Sequence, residues 1–180
     1  IAACGVLKDL HDELDALVAK AYGWEWPLSK EVILEKLVAL LVKRGFKIAF
    51  IKHDVHGFDM DHEGTDTWRI GRAGARQVTI SSPAAVASLQ QVEREKSLQE
   101  LTAGVGEGID LIIAEGYKTA AVDRIEISRS ERGTELALPE DELIAVISDR
   151  PDAATRRPVF DINGPAAAAD FLVESYRLGV

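Results

Sequence analysis

The sequence predicts an α/β fold in which a mostly parallel sheet is covered by helices on both faces. Two observations carry this prediction. Short apolar runs, rich in the β-branched residues of buried strands, recur along the chain, and segments with the spacing of amphipathic helices stand between them. Strands that alternate with helices favour a parallel sheet, because each parallel connection crosses over one face of the sheet.

Two helices are predicted before the first strand. Apolar residues recur at helical spacing over residues 6–22, and a glycine follows them. The second helix has Ser29 as its N-cap, a broad apolar stripe, and Gly45 as its stop behind two basic residues. We therefore expect residues 1–28 to form an atypical helical segment ahead of a single domain that spans residues 29–180.

Several apolar runs have the length and composition of strands. They are residues 47–52, 77–82, 108–116, 124–128 and 143–148. Helical patterns cover 65–73, 97–105 and a terminal segment opened by Asn163, Gly164 and Pro165, whereas the run 86–92 is ambiguous. Three strands end in polar residues, at Lys52 to Asp54, Glu115 to Tyr117, and Ser148 to Asp149. Because ligands bind beyond the carboxyl ends of parallel strands, we expect these ends to line one crevice.

The composition argues against several classes of function. The chain has 30 acidic and 21 basic residues and a net charge of -9, which disfavours a main role in binding nucleic acid. No apolar run approaches the roughly 18 residues of a membrane-spanning helix, so we expect no membrane segment. Cys4 is the only cysteine, so an internal disulfide is impossible. The first fifteen residues lack the pattern of a signal peptide, and we expect a cytoplasmic protein.

The segment from Phe50 to Ala75 concentrates side chains that bind metals and anions. The candidate ligands are His53, His56 and His62 together with Asp54, Asp59 and Asp61. Imidazole and carboxylate suit zinc, manganese or iron, although the spacing matches no dedicated ligand motif. Carboxylates at a strand end also hold Mg²⁺ beside nucleotide phosphates. A solvated acidic loop is the third interpretation.

The ends of two later strands offer further candidates. Glu115 ends an apolar run and is followed by Gly116. This arrangement resembles the Walker B motif, in which an acid at the end of a buried strand orients Mg²⁺ or the attacking water. A helix-capping or ion-paired glutamate is the alternative. Lys118 either meets a phosphate or is an ordinary surface lysine. Asp149 either accepts hydrogen bonds from the amino and imino groups of a base or caps the segment that follows.

Taken together, these segments resemble the bacterial molybdopterin-guanine dinucleotide biosynthesis adaptor family, often called MobB, over residues 31–180. The family's KHDxHG motif matches at Lys52, His53, Asp54, His56 and Gly57. Its D-x-x-G-x-D-[ST]-[WY]-R segment matches at Asp61, Gly64, Asp66, Trp68 and Arg69. Its EG-x-K motif matches at Glu115, Gly116 and Lys118.

The resemblance implies a P-loop NTPase-like three-layer sandwich that binds GTP with Mg²⁺, hydrolyses it weakly at most, and forms a homodimer. It also implies an association with the guanylyltransferase that attaches GMP to molybdopterin, so molybdopterin or its guanine dinucleotide is an implied ligand. Asp54 and Glu115 would then hold Mg²⁺ and act in catalysis. The implied nucleotide-binding residues are Lys30, Lys52, Gly116, Lys118 and Asp149. The motif residues from His53 to Arg69 would form a substrate or switch loop.

The family's phosphate-binding loop, G-x-x-x-x-G-K-[ST]-[ST], does not occur in this sequence. Alignment of the second helix puts Lys30 at the position of the loop lysine, Ser29 in place of a glycine, and Glu31 where a hydroxyl residue binds Mg²⁺. A glutamate there would repel a triphosphate by about a few kcal/mol. Three functions therefore stay open: a GTP-binding adaptor, a nucleotide-free protein-interaction module derived from the same family, and a histidine- and aspartate-rich metal-binding protein.

Overall fold

The computed structural model describes residue 17 and residues 29–130, 135–150 and 155–179. The helix predicted over residues 6–22 lies outside the described residues, except for Leu17, which is helical and exposed. The chain divides into two compact units. The first contains the described residues up to Ile48 and those from Ala121 onward, and the second spans Ala49–Ala120.

The first unit holds a parallel sheet. Its strands are β5 (Arg124–Ser128), β6 (Leu143–Ser148) and β7 (Val159–Asp161), and β6 lies between the other two. A short 3-10 helix, Glu140–Glu142, leads into β6. β6 is the central strand of this sheet, and nearly all of its side chains are buried, as expected where both faces of a parallel sheet are covered.

Two helices in the first unit contact each other: α1 (Lys30–Lys43) and α4 (Ala166–Ser175). Ser29 caps α1 as predicted, since its hydroxyl accepts a hydrogen bond from the backbone N–H of Val32 at 3.3 Å. Gly45, with φ of 94°, follows the end of α1. The core of this unit consists of apolar residues from both helices and the sheet, among them Ile33, Leu37, Leu41, Leu143, Val146, Ile147, Ala168, Ala169 and Leu172.

The second unit contains two pairs of strands. One pair is β1 (Ile48–Lys52), of which all but Ile48 belongs to this unit, with β4 (Leu111–Glu115). The other is an antiparallel hairpin of β2 (Gln77–Ser81) and β3 (Val86–Gln90). Its two helices are short: α2 (Asp66–Arg72) and α3 (Leu98–Thr102).

The structure confirms the predicted α/β class and differs from the sequence-based expectation in two elements. The ambiguous run 86–92 contains strand β3. β3 follows β2 without an intervening helix and pairs with it in an antiparallel manner, which departs from the predicted alternation of strands and helices. The three-residue strand β7 was not predicted, because it is too short to show a period. Among the helices of the described residues, none has the length and apolar character needed to cross a membrane.

Replacement of Leu41 by alanine tests the packing of α1. Leu41 is 0% exposed, whereas its neighbour Val42 is 53% exposed. Leu41→Ala should lower the free energy of unfolding by about 2–5 kcal/mol, because it removes buried apolar surface and leaves a cavity. Val42→Ala should change it by no more than about 0.5 kcal/mol. Urea denaturation measures both, and equal effects would contradict the described burial of this helix face.

Candidate functional site

The second unit brings together the ends of two strands that are distant in the sequence. The backbone N–H of His53, one residue beyond β1, donates to the carbonyl oxygen of Glu115, the last residue of β4, at 2.9 Å. The next residue, Gly116, has φ of 94°, and a Cβ built on it would lie 2.9 Å from the carbonyl oxygen of His53. A glycine is therefore required where the two strand-end motifs meet.

A cavity of about 540 Å³ opens beside these strand ends. This volume suits a small organic ligand. Its polar lining consists of Lys52, His53, Asp54, Gln90, Glu95 and Lys96. Its apolar and aromatic lining consists of Val55, Phe58, Val92, Leu101 and Tyr117. The cavity therefore offers cations, carboxylates and rings within one unit of the chain.

The side chain of His53 contacts both a carboxylate and an aromatic ring of the cavity. Its Nε2 atom lies 2.7 Å from the Oε1 atom of Glu95, and its ring centroid lies 5.1 Å from that of Tyr117. Burial, together with the negative charge of Glu95, raises the pKa of the Tyr117 hydroxyl above its usual value. Tyr117 therefore keeps its proton at neutral pH and can act as a hydrogen-bond donor in the cavity.

Glu95 was missed by the sequence analysis, and the segment that carries it is held in place by charge-assisted hydrogen bonds. Arg94 donates from both terminal nitrogens to the two carboxylate oxygens of Glu100, at 2.9 and 2.6 Å. Ser97 and Glu100 form a capping box at the start of α3. The Arg94 hydrogen bond, followed by those from Ser97, lowers the pKa of Glu100 to about 2. Lys96 donates to Gln90 on β3 at 2.7 Å.

Lys52 and Glu115, from the two strand ends, form a loose ion pair. The Nζ atom of Lys52 lies 4.0 Å from a carboxylate oxygen of Glu115, whose side chain is only 15% exposed. Asp54 accepts a hydrogen bond from the backbone N–H of His56 at 2.9 Å, which fixes the turn beyond β1. Gly116 and Lys118 follow Glu115 in a tight turn, in which the N–H of Lys118 donates to the carbonyl of Gly116 at 2.9 Å.

Among the described residues, no group of three or more histidine, cysteine, aspartate or glutamate side chains could hold a metal ion. The histidines and aspartates of the described residues therefore form no ligand set for a dedicated metal site. Mg²⁺ is commonly held by one or two carboxylates, with waters and phosphate oxygens completing its coordination, and the assignment of Asp54 and Glu115 to Mg²⁺ remains a prediction.

The predicted switch loop is organised by its own side chains. Asp61 accepts hydrogen bonds from the hydroxyl of Thr65 at 2.9 Å and from the N–H of His62 at 2.8 Å. Hydrogen bonding, above all from Thr67, lowers the pKa of Asp61 below its usual value. Asp61 is therefore ionised at neutral pH and acts here as the organising acceptor of the loop.

The other motif residues of the loop have local contacts. Gly57 and Gly64 adopt positive φ values of 82° and 94°. Asp66 accepts from the N–H of Thr67 at 2.8 Å. Trp68 lies in α2 with the guanidinium of Arg72 5.7 Å from its ring centroid, and Arg69 is exposed in the same helix.

Lys30 and Asp149 belong to the first unit. Lys30 is the first residue of α1 and is exposed. Asp149 follows β6, and its carboxylate accepts hydrogen bonds from both the N–H and the hydroxyl of Ser130, at 2.9 and 2.7 Å. This contact gives Asp149 a structural role in joining the ends of β5 and β6. Its assignment to guanine remains a prediction.

The order of helices and strands defines a P-loop NTPase-like α/β protein, and solved structures share this fold. The crystal structure of Bacillus subtilis MobB matches with a TM-score of 0.62 at 25% identity, covering 84% of this chain and 92% of that one. A crystal structure of molybdopterin-guanine biosynthesis protein B gives a TM-score of 0.63 at 23% identity, covering 81% and 92% of the two chains.

The chain belongs to the family described as molybdopterin guanine dinucleotide synthesis protein B, MobB, whose family model matches residues 28–149. Two relatives are named molybdopterin-guanine dinucleotide biosynthesis adapter protein. The one from Escherichia coli is 34% identical over 153 residues, or 81% of this chain and 85% of the relative. The one from Haemophilus influenzae is 31% identical over 144 residues, or 79% and 80%.

Replacement of Gly116 by alanine tests the close approach of the two strand ends. The new Cβ would lie 2.9 Å from the His53 carbonyl oxygen and 3.1 Å from the His53 Cβ, on a backbone with φ of 94°. Gly116→Ala should lower the free energy of unfolding by more than about 1 kcal/mol.

Gly71→Ala is the matched control in the same unit. Gly71 lies inside α2, and a Cβ there would meet only a methyl group of Val78 at 3.7 Å. Because alanine favours the helix, this change should leave stability equal or raise it by up to about 1 kcal/mol. Urea denaturation of both variants measures the difference. A Gly116→Ala variant as stable as the unmodified chain would show that the strand ends are not so closely apposed.

Proposed function

We propose that this chain is an adaptor in molybdopterin guanine dinucleotide biosynthesis that assists the guanylyltransferase attaching GMP to molybdopterin. The observation that carries this proposal is membership of the MobB family, supported by the two relatives named as adapter proteins. The adjacent ends of β1 and β4 add support, because they bring the family's KHDxHG and EG-x-K motifs to one place.

Molybdopterin, or its guanine dinucleotide, is the proposed ligand of the cavity in the second unit. Such a ligand combines a planar heterocycle with phosphate. Lys52 and Lys96 supply positive charge for the phosphate, and the rings of His53 and Tyr117 supply a surface for the heterocycle. Tyr117 adds a hydroxyl donor. The cavity thus has a group suited to each part of the ligand.

GTP with Mg²⁺ is the proposed nucleotide. Asp54 and Glu115 would hold Mg²⁺, with Lys52, Gly116 and Lys118 of the same unit as the other proposed nucleotide contacts. The bound metal would neutralise the phosphate charge. The protein's own contribution would be positioning rather than covalent chemistry, so only slow hydrolysis is expected.

A nucleotide-free interaction module is the second candidate function. A specific observation favours it: the sequence has no glycine-rich phosphate loop, and the aligned segment is occupied by the N-cap and first turn of α1. In this case the chain would keep its partner surfaces and its pterin cavity without binding GTP.

We also propose that the chain forms a homodimer through the β2–β3 hairpin. One face of the hairpin is apolar and consists of Val78, Ile80, Ala87 and Leu89. Ile80 is 58% exposed and Leu89 is 41% exposed. A two-stranded hairpin is only marginally stable alone, and it leaves the outer edges of both strands unpaired. A second copy of the chain would cover the apolar face and extend the sheet.

A calorimetric titration with a non-hydrolysable GTP analogue and Mg²⁺, with ATP as competitor, separates the two candidate functions. Guanine-selective binding at micromolar concentration supports the GTP-binding adaptor. No binding at millimolar analogue, with the protein shown to be folded, favours the interaction module.

In a chain that binds GTP, Glu115→Gln should abolish hydrolysis while leaving the protein folded, because it removes the charge of a proposed Mg²⁺ ligand but keeps the length of the side chain, and the ion pair with Lys52 that it breaks is long, at 4.0 Å. Glu107→Gln, at an exposed glutamate of the same unit, is the control and should retain hydrolysis. Phosphate release measures both. Equal rates in the two variants would remove Glu115 from the catalytic role.

Ile80→Lys tests the dimer. A lysine on the apolar face of the hairpin should convert a dimer to monomers, because a charge would be buried without a partner. Ser81→Lys places the same charge on the opposite face and should leave the mass unchanged. Size-exclusion chromatography with light scattering measures the mass. A monomeric unmodified chain, or a dimer that survives Ile80→Lys, would contradict the proposed interface.

A further inference from the structure

Two carboxylates, those of Asp54 and Glu95, line the cavity of the second unit and are engaged in different ways. Asp54 holds the turn beyond β1, because its Oδ1 atom accepts a hydrogen bond from the N–H of His56 at 2.9 Å. Glu95 has its Oε1 atom 2.7 Å from Nε2 of His53, and its Oε2 atom accepts no hydrogen bond from the residues that the structure describes. The Glu95 side chain is 69% exposed, so its carboxylate is open to a molecule that enters the cavity.

Glu95 lies at the edge of an aromatic surface. Its 2.7 Å distance from the imidazole nitrogen is that of a hydrogen bond, and an imidazole ring makes hydrogen bonds at its edge rather than over its faces. The ring of Tyr117 adjoins that of His53, with centroids 5.1 Å apart and planes inclined by 36°. The His53 side chain keeps an exposure of 24%. A flat heterocycle that lies against the exposed part of His53 can therefore bring its own edge to the Glu95 carboxylate.

The charges of the cavity require more of the ligand than a phosphate group. Lys52 and Lys96 suit a phosphate, but a carboxylate in the same cavity repels it. The charge of Glu95 is favourable only toward a ligand that also carries hydrogen-bond donors. A carboxylate accepts two parallel N–H groups through its two oxygens, as it does from the fork of an arginine. The ligand that fits these charges therefore carries an anionic group together with a pair of adjacent N–H donors.

A pterin carries such a pair of donors, because its amino group lies beside a ring N–H. We propose that Glu95 is the specificity-determining residue of the cavity, and that its carboxylate accepts hydrogen bonds from these two groups while the heterocycle lies against His53. The inference rests on the proposed function, which makes a pterin the ligand of this cavity. Guanine presents the same pair of donors, so the chemistry that Glu95 recognises is an amino group beside a ring N–H.

The test is a titration of the full chain with pterin-6-carboxylate and with lumazine-6-carboxylate, followed by the fluorescence of the heterocycle. The two molecules share a carboxylate that stands in for the phosphate toward the lysines. They differ at one position, where lumazine has a carbonyl oxygen in place of the amino group. The Glu95 carboxylate repels this oxygen, whereas it binds the amino group. The unmodified chain should therefore bind the pterin at least about tenfold more tightly than the lumazine.

Glu95→Gln is the decisive variant. Glutamine has nearly the shape of glutamate, but its amide N–H can donate to the carbonyl oxygen of lumazine, so the preference for the pterin should disappear or reverse. Glu93→Gln is the matched control and should keep the preference, since Glu93 belongs to the same charged run, is 84% exposed and pairs with Arg76. Equal weakening of both ligands in Glu95→Gln would indicate a general disturbance of the cavity and would overturn the proposal.

The remaining outcomes separate this inference from the proposed function. Binding of the pterin without preference over the lumazine would overturn the role of Glu95 and leave the pterin as a ligand, whereas no binding of either molecule at millimolar concentration would overturn both. A preference that is lost in Asp54→Asn but kept in Glu95→Gln would assign the recognition to Asp54 instead. Competition with GMP identifies the heterocycle: displacement of the pterin by GMP, with an affinity that falls in Glu95→Gln, extends the role of Glu95 to guanine, and no displacement restricts it to the pterin.

Discussion

The candidate site depends on one close backbone approach, in which the chain leaving β1 runs against the chain leaving β4. The bond between His53 N–H and Glu115 C=O extends the pairing beyond the end of β1. The next residue, Gly116, passes so near His53 that a Cβ has no room there. Because both backbones are fixed in this way, the side chains of the two motifs start from fixed positions. Tyr117 is placed beside the His53 ring for the same reason.

The charges around the cavity couple ligand binding to the protein's own ion pairs. Glu95 contacts His53, and Glu115 faces Lys52. An anionic ligand that approaches the imidazole or the ammonium group competes with these carboxylates. The Arg94–Glu100 pair holds the segment that carries Glu95, although the Glu95 side chain itself is 69% exposed. Ligands that engage His53 without displacing Glu95, through the ring face for example, are therefore favoured over those that require its removal.

Local signals in the sequence were sufficient to predict the strand ends and the helix caps. Contacts between residues that are distant in the sequence could not be predicted in this way. Ser29 was correctly predicted as an N-cap because capping involves residues only three apart. Glu95 could not be singled out, since it lies in a charged run beside Glu93 and gains its role only when β3 returns the chain toward His53. The contact between Asp149 and Ser130 likewise joins residues 19 apart, and no periodicity reports it.

The start of α1 shows how this member of the family differs from the family pattern. The Ser29 hydroxyl satisfies one of the N–H groups that a phosphate loop would turn toward its ligand, and Glu31 stabilises the positive end of the helix. The features that make a good helix start therefore make a poor phosphate site, because the hydroxyl occupies a donor and the carboxylate repels the anion. The cavity in the second unit requires neither residue. Its rings, lysines and strand-end motifs are supplied entirely within Ala49–Ala120, so the lining of this cavity does not depend on the residues at the start of α1.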